Sequence, residues 1–335
     1  MLEAKKIYHQ YVPKGNYTLK NISFALEAGQ LLAIVGETGS GKTSLLKILA
    51  GLEPVSKGGV YFQKKKLVDP REQLIPGHPA IELVAQDFRL FPHHTVYDNL
   101  EYQLRKHKAD GIDKRIKGLL RYFDLTAHKN KKPAAISGGQ QQKLALAKAL
   151  AHQPKVLLMD EPFAHLDFIQ TQTFKQEVKR LKEDLGLAII LVTHTVQDAL
   201  SIADEMMILQ KGQILQKAKP LSIYNRPRNA YVAQLTGYCN LLSGTEVEQG
   251  LSKRDLKKIK DFDVNSFYCI RPKFIGIKEG RKATVQNIEF EGLFYLVEIL
   301  TLSGVRLKTV VANCPWSVGD RLGFMVEAGA VWKLG

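Results

Sequence analysis

The chain lacks any hydrophobic run approaching the roughly 18–20 apolar residues that a membrane-spanning helix needs. Its start, MLEAKKIYHQYVPKG, lacks the apolar stretch of a secretory leader. Cysteine is scarce: Cys239, Cys269 and Cys314 stand far apart in sequence and fit no zinc spacing. An odd, small count speaks for reduced, structural thiols rather than a disulfide framework. Internal repeats and low-complexity tracts are absent as well. The expectation is a chain that folds and stays in the cytosol, with any membrane role coming through a partner.

Acidic residues are also in short supply, 33 against 48 Lys and Arg, for a formal charge of +15. Nucleic acid, an anionic membrane surface and nucleotide phosphates would each suit that excess. The basic residues are dispersed, with short clusters only at Lys64–Lys66 and Lys129–Lys132. A dedicated nucleic-acid binder concentrates its charge on one element, so no nucleic-acid partner is expected. The 335 residues, 45% hydrophobic and 24% charged, are ordinary for a globular protein of two domains.

Residues 1 to about 30 alternate apolar and polar side chains, which suits antiparallel strands. LLAIVG (31–36), IELVAQ (81–86), KVLLMD (155–160) and LAIILVTH (187–194) are continuous apolar runs, the mark of strands buried on both faces. KTSLLKILAGL reads as a helix closed by Gly51, and helical periods dominate residues 90–150. A further helix, FIQTQTFKQEVKRLKEDLG, lies between the last two runs. Strands alternating with helices predict a mainly parallel sheet with right-handed crossovers. From about 235, short β-type segments separated by Gly, Asn and Pro predict a small barrel or sandwich, with residues 225–237 as the linker.

GETGSGKT, Gly36 to Thr43, fits the phosphate-loop pattern G-x-x-x-x-G-K-[ST] between an apolar strand and a helix. Its glycines let the backbone curl so that successive N–H groups face phosphate oxygens, and the following helix adds its positive end. Lys42 reaches the β/γ-phosphates and Thr43 offers a hydroxyl to Mg²⁺. VLLMDE ends a second buried strand in Asp160, placed to hold Mg²⁺ through water, and Glu161, placed to polarise an attacking water. Gln86 and His194 end two other runs, where each could hydrogen-bond the γ-phosphate or position the lytic water.

Gly36–Thr43, Gln86, SGGQ (137–140), Asp160–Glu161, AHLD (164–167) and His194 occur in this order, and the series resembles the ATP-binding cassette (ABC) ATPases, nucleotide-binding subunits of membrane transporters. The likeness covers about residues 1–235, and QDFRLFPHHTVYDNL (86–100) resembles the corresponding region of importer subunits. It implies an α/β P-loop NTPase domain over 1–234, with an inserted helical subdomain at about 87–150. GYCNLLSGTEV and IRPKFIGI resemble a C-terminal OB-like regulatory domain of the TOBE type, placed at 235–335. ATP and Mg²⁺ are the implied ligands. The resemblance assigns Tyr11 to the adenine, with Tyr8 and Tyr17 as alternatives. It assigns Gly36, Glu37, Thr38, Gly39, Ser40, Gly41, Lys42, Thr43 and Ser44 to the phosphates. The metal falls to Thr43, Gln86 and Asp160, and catalysis to Glu161, His194, Gln86 and Lys42. Ser137, Gly138, Gly139 and Gln140 would be delivered to ATP by a second copy of the chain, with residues up to about 142 facing the nucleotide.

The implied function is that of an importer ATPase at the cytoplasmic face of the membrane. ATP binding would close a homodimer and hydrolysis reopen it, driving permease partners through a segment near 87–110, alongside an external solute-binding protein. Polyamine or ferric iron is the favoured cargo over sugar, sulfate or molybdate. A soluble ABC ATPase acting on nucleic acid or the ribosome is the alternative. Three departures stand out: Lys143 where the family has Arg, Ala164 where Ser is usual, and Thr195 where Asp is common.

Overall fold

The computed structural model describes every residue except 13–14, 88, 107–110, 165, 258 and 260. The chain divides into two compact units, Met1–Pro220 and Leu221–Gly335.

In the first unit, β1 (Leu2–His9) pairs antiparallel with β2 (Leu19–Leu26) and, on its other edge, with β4 (Lys57–Phe62), which continues to β5 (Lys65–Lys66). The alternation read in residues 1–30 thus becomes one side of a four-stranded antiparallel sheet. The second sheet has the order β10-β9-β3-β8-β7-β6, built from β3 (Leu31–Val35), β6 (Ile81–Val84), β7 (Val156–Asp160), β8 (Ala188–Thr193), β9 (Glu205–Gln210) and β10 (Gln213–Ala218). All its neighbours are parallel except the edge pair β10–β9. Every residue of β3 and β8 is buried, as uninterrupted apolar strands require.

Helix α1 (Lys42–Leu49) follows β3 through the Gly-rich loop, and Leu45, Leu46 and Leu49 pack into the core shared by the two sheets. It ends as expected at Gly51: with φ +72°, Gly51 donates to Ile48 O and Leu52 to Lys47 O, the double bond of a Schellman cap. The helical segment supplies α2 (Val96–Lys106), α3 (Ile112–Tyr122) and α4 (Gly138–Ala149); α5 (Phe168–Leu185) and α6 (Val196–Ile202) flank β8. Asp167 caps α5 by accepting from the Gln170 amide, 2.8 Å.

The second unit begins with α7 (Pro220–Asn225) and α8 (Ala230–Leu235). Two antiparallel sheets follow, β11 (Asn240–Ser243), β12 (Phe267–Ile270) and β17 (Val331–Lys333) in one, β13 (Ile275–Phe290), β14 (Tyr295–Thr301), β15 (Arg306–Val311) and β16 (Arg321–Val326) in the other. Short helices α9 (Gly244–Gly250) and α10 (Lys253–Leu256) lie between β11 and β12. The β-rich, OB-like texture is as expected, but residues 221–234 fold with this unit rather than with the first. The reason is Arg271, 1% exposed, whose guanidinium donates to the carbonyls of Tyr224, Ala233, Gly237 and Tyr238 and to Thr236 Oγ1, at 2.6–3.1 Å. The segment expected as a linker is thereby knotted to the β-domain.

Candidate active site

The phosphate loop lies at the C-terminal edge of β3. Gly36 is required by a close approach: a Cβ there would stand 2.1 Å from Leu209 O of β9. Lys42 folds into the loop and donates to Gly36 O (2.8 Å) and Glu37 O (2.9 Å). Its burial pushes its pKa down, while the Glu161 and Asp160 carboxylates pull it back up. Ser40 Oγ is buried, with no hydrogen-bond partner among the described residues, and a Cβ at Gly39 (φ +81°) would meet nothing within 4 Å. A buried hydroxyl left without a partner in a glycine-rich loop suits the binding of a phosphate oxygen.

The parallel register of β7 and β8 carries Asp160 and Glu161 to the same edge of the sheet as the loop. Thr43 Oγ1 donates to Asp160 Oδ1 at 3.3 Å. Burial chiefly, and the neighbouring Glu161 carboxylate, push the Asp160 pKa above its ordinary value, against the pull of the Thr43 bond and Lys42. A desolvated carboxylate beside a hydroxyl is an oxygen donor set of the kind that would suit Mg²⁺. Glu161 adopts a left-handed conformation (φ +50°), unusual for a residue with a Cβ, and its amide is fixed by Val192 O of β8 at 3.0 Å. Its Oε2 lies 2.5 Å from Nδ1 of His194, which is 62% exposed at its side chain.

Gln86 departs from the position expected of it. Strand β6 closes at Val84 rather than 86, because it is an edge strand whose pairing ends at Val84–Met159, and Gln86 is exposed in the following turn. Residue 88 lies outside the described residues; beyond it, Phe91 is held by Asn99. The fully buried Asn99 accepts from Phe91 N and donates to the carbonyls of Phe91, His94 and Thr95. Sequence reasoning missed Asn99; its only signal is an amide on the apolar face of α2. Among the candidate aromatics, Tyr8 and Tyr17 pack edge-to-face on each other, centroids 5.4 Å apart. Tyr11 is 60% exposed and tied through its hydroxyl to Ser44 Oγ of α1, 2.6 Å away.

Ser137 and Gln140 form a capping box at the start of α4, each accepting from the other's backbone amide, and Gln140 Nε2 donates to His128 Nε2 at 3.0 Å. Gln141 and Gln142, expected to face nucleotide, are structural instead. Gln141 bonds the carbonyls of Pro133 and Ile136, and the buried Gln142 reaches Pro162 O beside Glu161. Neither Gly138 nor Gly139 has a positive φ, and a Cβ at either would meet nothing within 4 Å. The fold of this chain alone therefore has no need of glycine there. Lys143 pairs with Asp124 at 3.6 Å. Ala164 precedes residue 165 of the AHLD stretch, which lies outside the described residues.

A phosphate loop, a strand-end acidic pair and a histidine on one edge of a mostly parallel sheet, with a helical insertion between strands, define a P-loop ATPase of the cassette class. The ABC transporter family profile matches residues 19–164. The chain is 34% identical over 319 residues to the spermidine/putrescine import ATP-binding protein PotA of Clostridium novyi, covering 93% of this chain and 88% of that one. Among solved structures it resembles cbiO1 of Clostridium perfringens, part of an ABC transporter complex, with a TM-score of 0.62 and 27% identity over 67% of this chain and 90% of that one. It also resembles a dimeric ATP-binding cassette in a post-hydrolysis state bound to ADP and Pi, with a TM-score of 0.57 and 30% identity over 66% of this chain and 99% of that one. The chain belongs to the family of ABC importer ATP-binding subunits, and its activity is ATP hydrolysis.

Proposed function

We propose that this subunit hydrolyses Mg·ATP at a site completed by a second copy of itself, and that the cycle drives uptake of a polyamine through membrane partners. The single observation that carries the catalytic reading is the Glu161–His194 contact of 2.5 Å beside the Thr43–Asp160 pair. ATP phosphates would lie in the Gly36–Thr43 loop, with the Lys42 ammonium on the β/γ oxygens and Ser40 Oγ as a further donor. Mg²⁺, when bound, would neutralise the developing phosphate charge; Thr43 and Asp160 are the residues to hold it, with exposed Gln86 swinging in. Glu161 accepts a proton from the attacking water, and the Nδ1–H of His194 orients that carboxylate.

The dimer reading rests on α4. A loop on one side leaves the γ-phosphate's far face wet, and Ser137–Gln140 presents a helix start whose two glycines allow close approach. The similar cassette bound to ADP and Pi is dimeric. Partner contact is supported by a cavity of about 540 Å³ lined by Ile75, Phe91, Tyr102, Arg89 and Lys148, adjoining the turn that carries Gln86. It has room for a permease segment whose movement would be felt at the γ-phosphate. No helix among the described residues is long and apolar enough to cross a membrane. Peripheral attachment to a permease at the cytoplasmic face, with an external solute-binding protein, is therefore the assembly we propose. The polyamine assignment follows the name of the C. novyi relative.

Glu161→Gln tests the mechanism: steady hydrolysis falls by about two to four orders of magnitude, while Mg·ATP drives the variant into a dimer in size-exclusion chromatography. A variant that stays monomeric at saturating Mg·ATP sinks the composite site. Reconstitution with the permease and labelled spermidine tests the cargo.

A further inference from the structure

Tyr11 does not stand alone beside the phosphate loop. The imidazole of His9, 4% exposed at its side chain, and the Tyr11 ring form a T-shaped pair with ring centroids 4.7 Å apart at 84°. His9 Nδ1 is 3.0 Å from Pro54 O; a carbonyl only accepts, so Nδ1 carries the proton and the ring is fixed in orientation. Nε2 faces Glu53 Oε2 at 3.6 Å, and the other oxygen of Glu53 pairs with Lys47 of α1 at 3.2 Å. Tyr11 returns to the same helix through Ser44 at 2.6 Å. Tyr11 is thus flanked by His9 on one side and tied to α1 at Ser44 on the other, while Glu53, which pairs with Lys47, stands near His9 Nε2 without a hydrogen bond to it. A buried, oriented side chain in ring contact with the exposed Tyr11 fixes how that ring is presented to solvent.

We propose that His9 is a positioning residue for the base: it holds Tyr11 as a preset stacking platform, so that it governs affinity for the nucleoside half of ATP and not for the triphosphate half. This rests on the reading of Tyr11 and the phosphate loop as an ATP site. Ring contacts of this kind imply a change in affinity of about two- to tenfold. The test is calorimetric binding of Mg·ATP and of Mg·tripolyphosphate, with steady-state kinetics, for wild type, His9→Asn and His9→Phe. Asn keeps an N–H near the position of Nδ1 and so spares the Pro54 tether, but removes the ring; Phe keeps an aromatic ring against Tyr11.

In His9→Asn, ATP affinity falls about two- to tenfold, tripolyphosphate affinity holds, and the loss appears in KM rather than kcat. His9→Phe recovers most of the ATP affinity. Equal losses for both ligands would show that His9 acts on the phosphate helix, and no loss for either would show that it does nothing here; both overturn the proposal. Should His9→Asn fail to fold, Tyr11→Leu against wild type measures the whole platform. A ratio of ATP to tripolyphosphate affinity that Tyr11→Leu leaves unchanged then overturns it. Failure of wild type to bind either ligand would instead overturn the nucleotide site itself.

Discussion

Glu161 and His194 meet across the ends of β7 and β8, Oε2 and Nδ1 2.5 Å apart, although 33 residues separate them in the chain. The contact exists because the two strands are parallel neighbours in register, Asp160 opposite Val192, and because Glu161 turns left-handed immediately after β7. Glu161 is largely covered while His194 projects into solvent, so the pair has one fixed member and one that can reach a substrate.

Replacing His194 by Ala should lower kcat by about two to four orders of magnitude while sparing ATP-driven dimerisation, because the carboxylate persists without its orienting partner. Single-turnover hydrolysis alongside light scattering reads both quantities. Unchanged hydrolysis would remove His194 from the mechanism.

Asp160→Asn should abolish Mg²⁺-dependent hydrolysis yet stabilise the nucleotide-free protein at neutral pH. The sign follows from the raised pKa: the unfolded carboxyl ionises near 3.8, the folded one only at higher pH, so stability is lost as pH rises through that interval. Asn has no proton to lose and escapes this penalty. Thermal melts of both proteins between pH 4 and 7 should therefore diverge as pH rises; parallel curves would contradict it.

Gly139→Ala should separate stability from function. With no positive φ and open space around the added methyl, the variant should fold as well as wild type or gain about 0.4–1 kcal/mol. ATPase activity should fall, since the methyl obstructs approach between copies. A melt and an activity assay on the same sample suffice, and full activity would argue against α4 as a lid.

Two thiols that the sequence places 30 positions apart are neighbours in the second unit, where Cys239 packs against the buried Cys269. The neighbouring Cys269 thiol, helped by Arg271 and Lys308 against burial, holds the Cys239 pKa below its ordinary value, and the pairing pushes that of Cys269 up. Iodoacetamide at neutral pH should label Cys239 before Cys269 in peptide mapping. In Cys269→Ala the pH midpoint for Cys239 should move upward; an unmoved midpoint would mean the thiol pair is not what activates it.

Four of the six strands of the second sheet (β3, β6, β7 and β8), α1 and its Gly51 stop, and the order of the phosphate loop, acidic pair and histidine were legible in the linear chain, whereas β9 and β10 were not read. Each depends on neighbours in sequence: apolar runs long enough to bury both faces, and a loop whose chemistry sits within eight residues, Gly36–Thr43. The glutamine cluster was misread in part, because a run of identical amides does not say which way each points. Helical rotation turns Gln142 inward to Pro162 and Gln141 back to Pro133, and leaves only Gln140 in the capping box. The expected linker misled for a similar reason: Pro and Gly at 225–237 look mobile until a buried Arg271 from β12's end collects their carbonyls.

The sequence by itself determined that this is a phosphate-loop ATPase of the cassette type, since that chemistry is encoded by residue types at short, ordered spacings. Only the tertiary structure decided that Gln86 lies beyond its strand, that Asn99 clamps the turn after it, and that His9 backs Tyr11. Those relationships are set by where an edge strand loses its partner and by which side chains distant segments bury against one another. Packing of that kind has no period and no motif, and it comes into being only when the chain closes on itself.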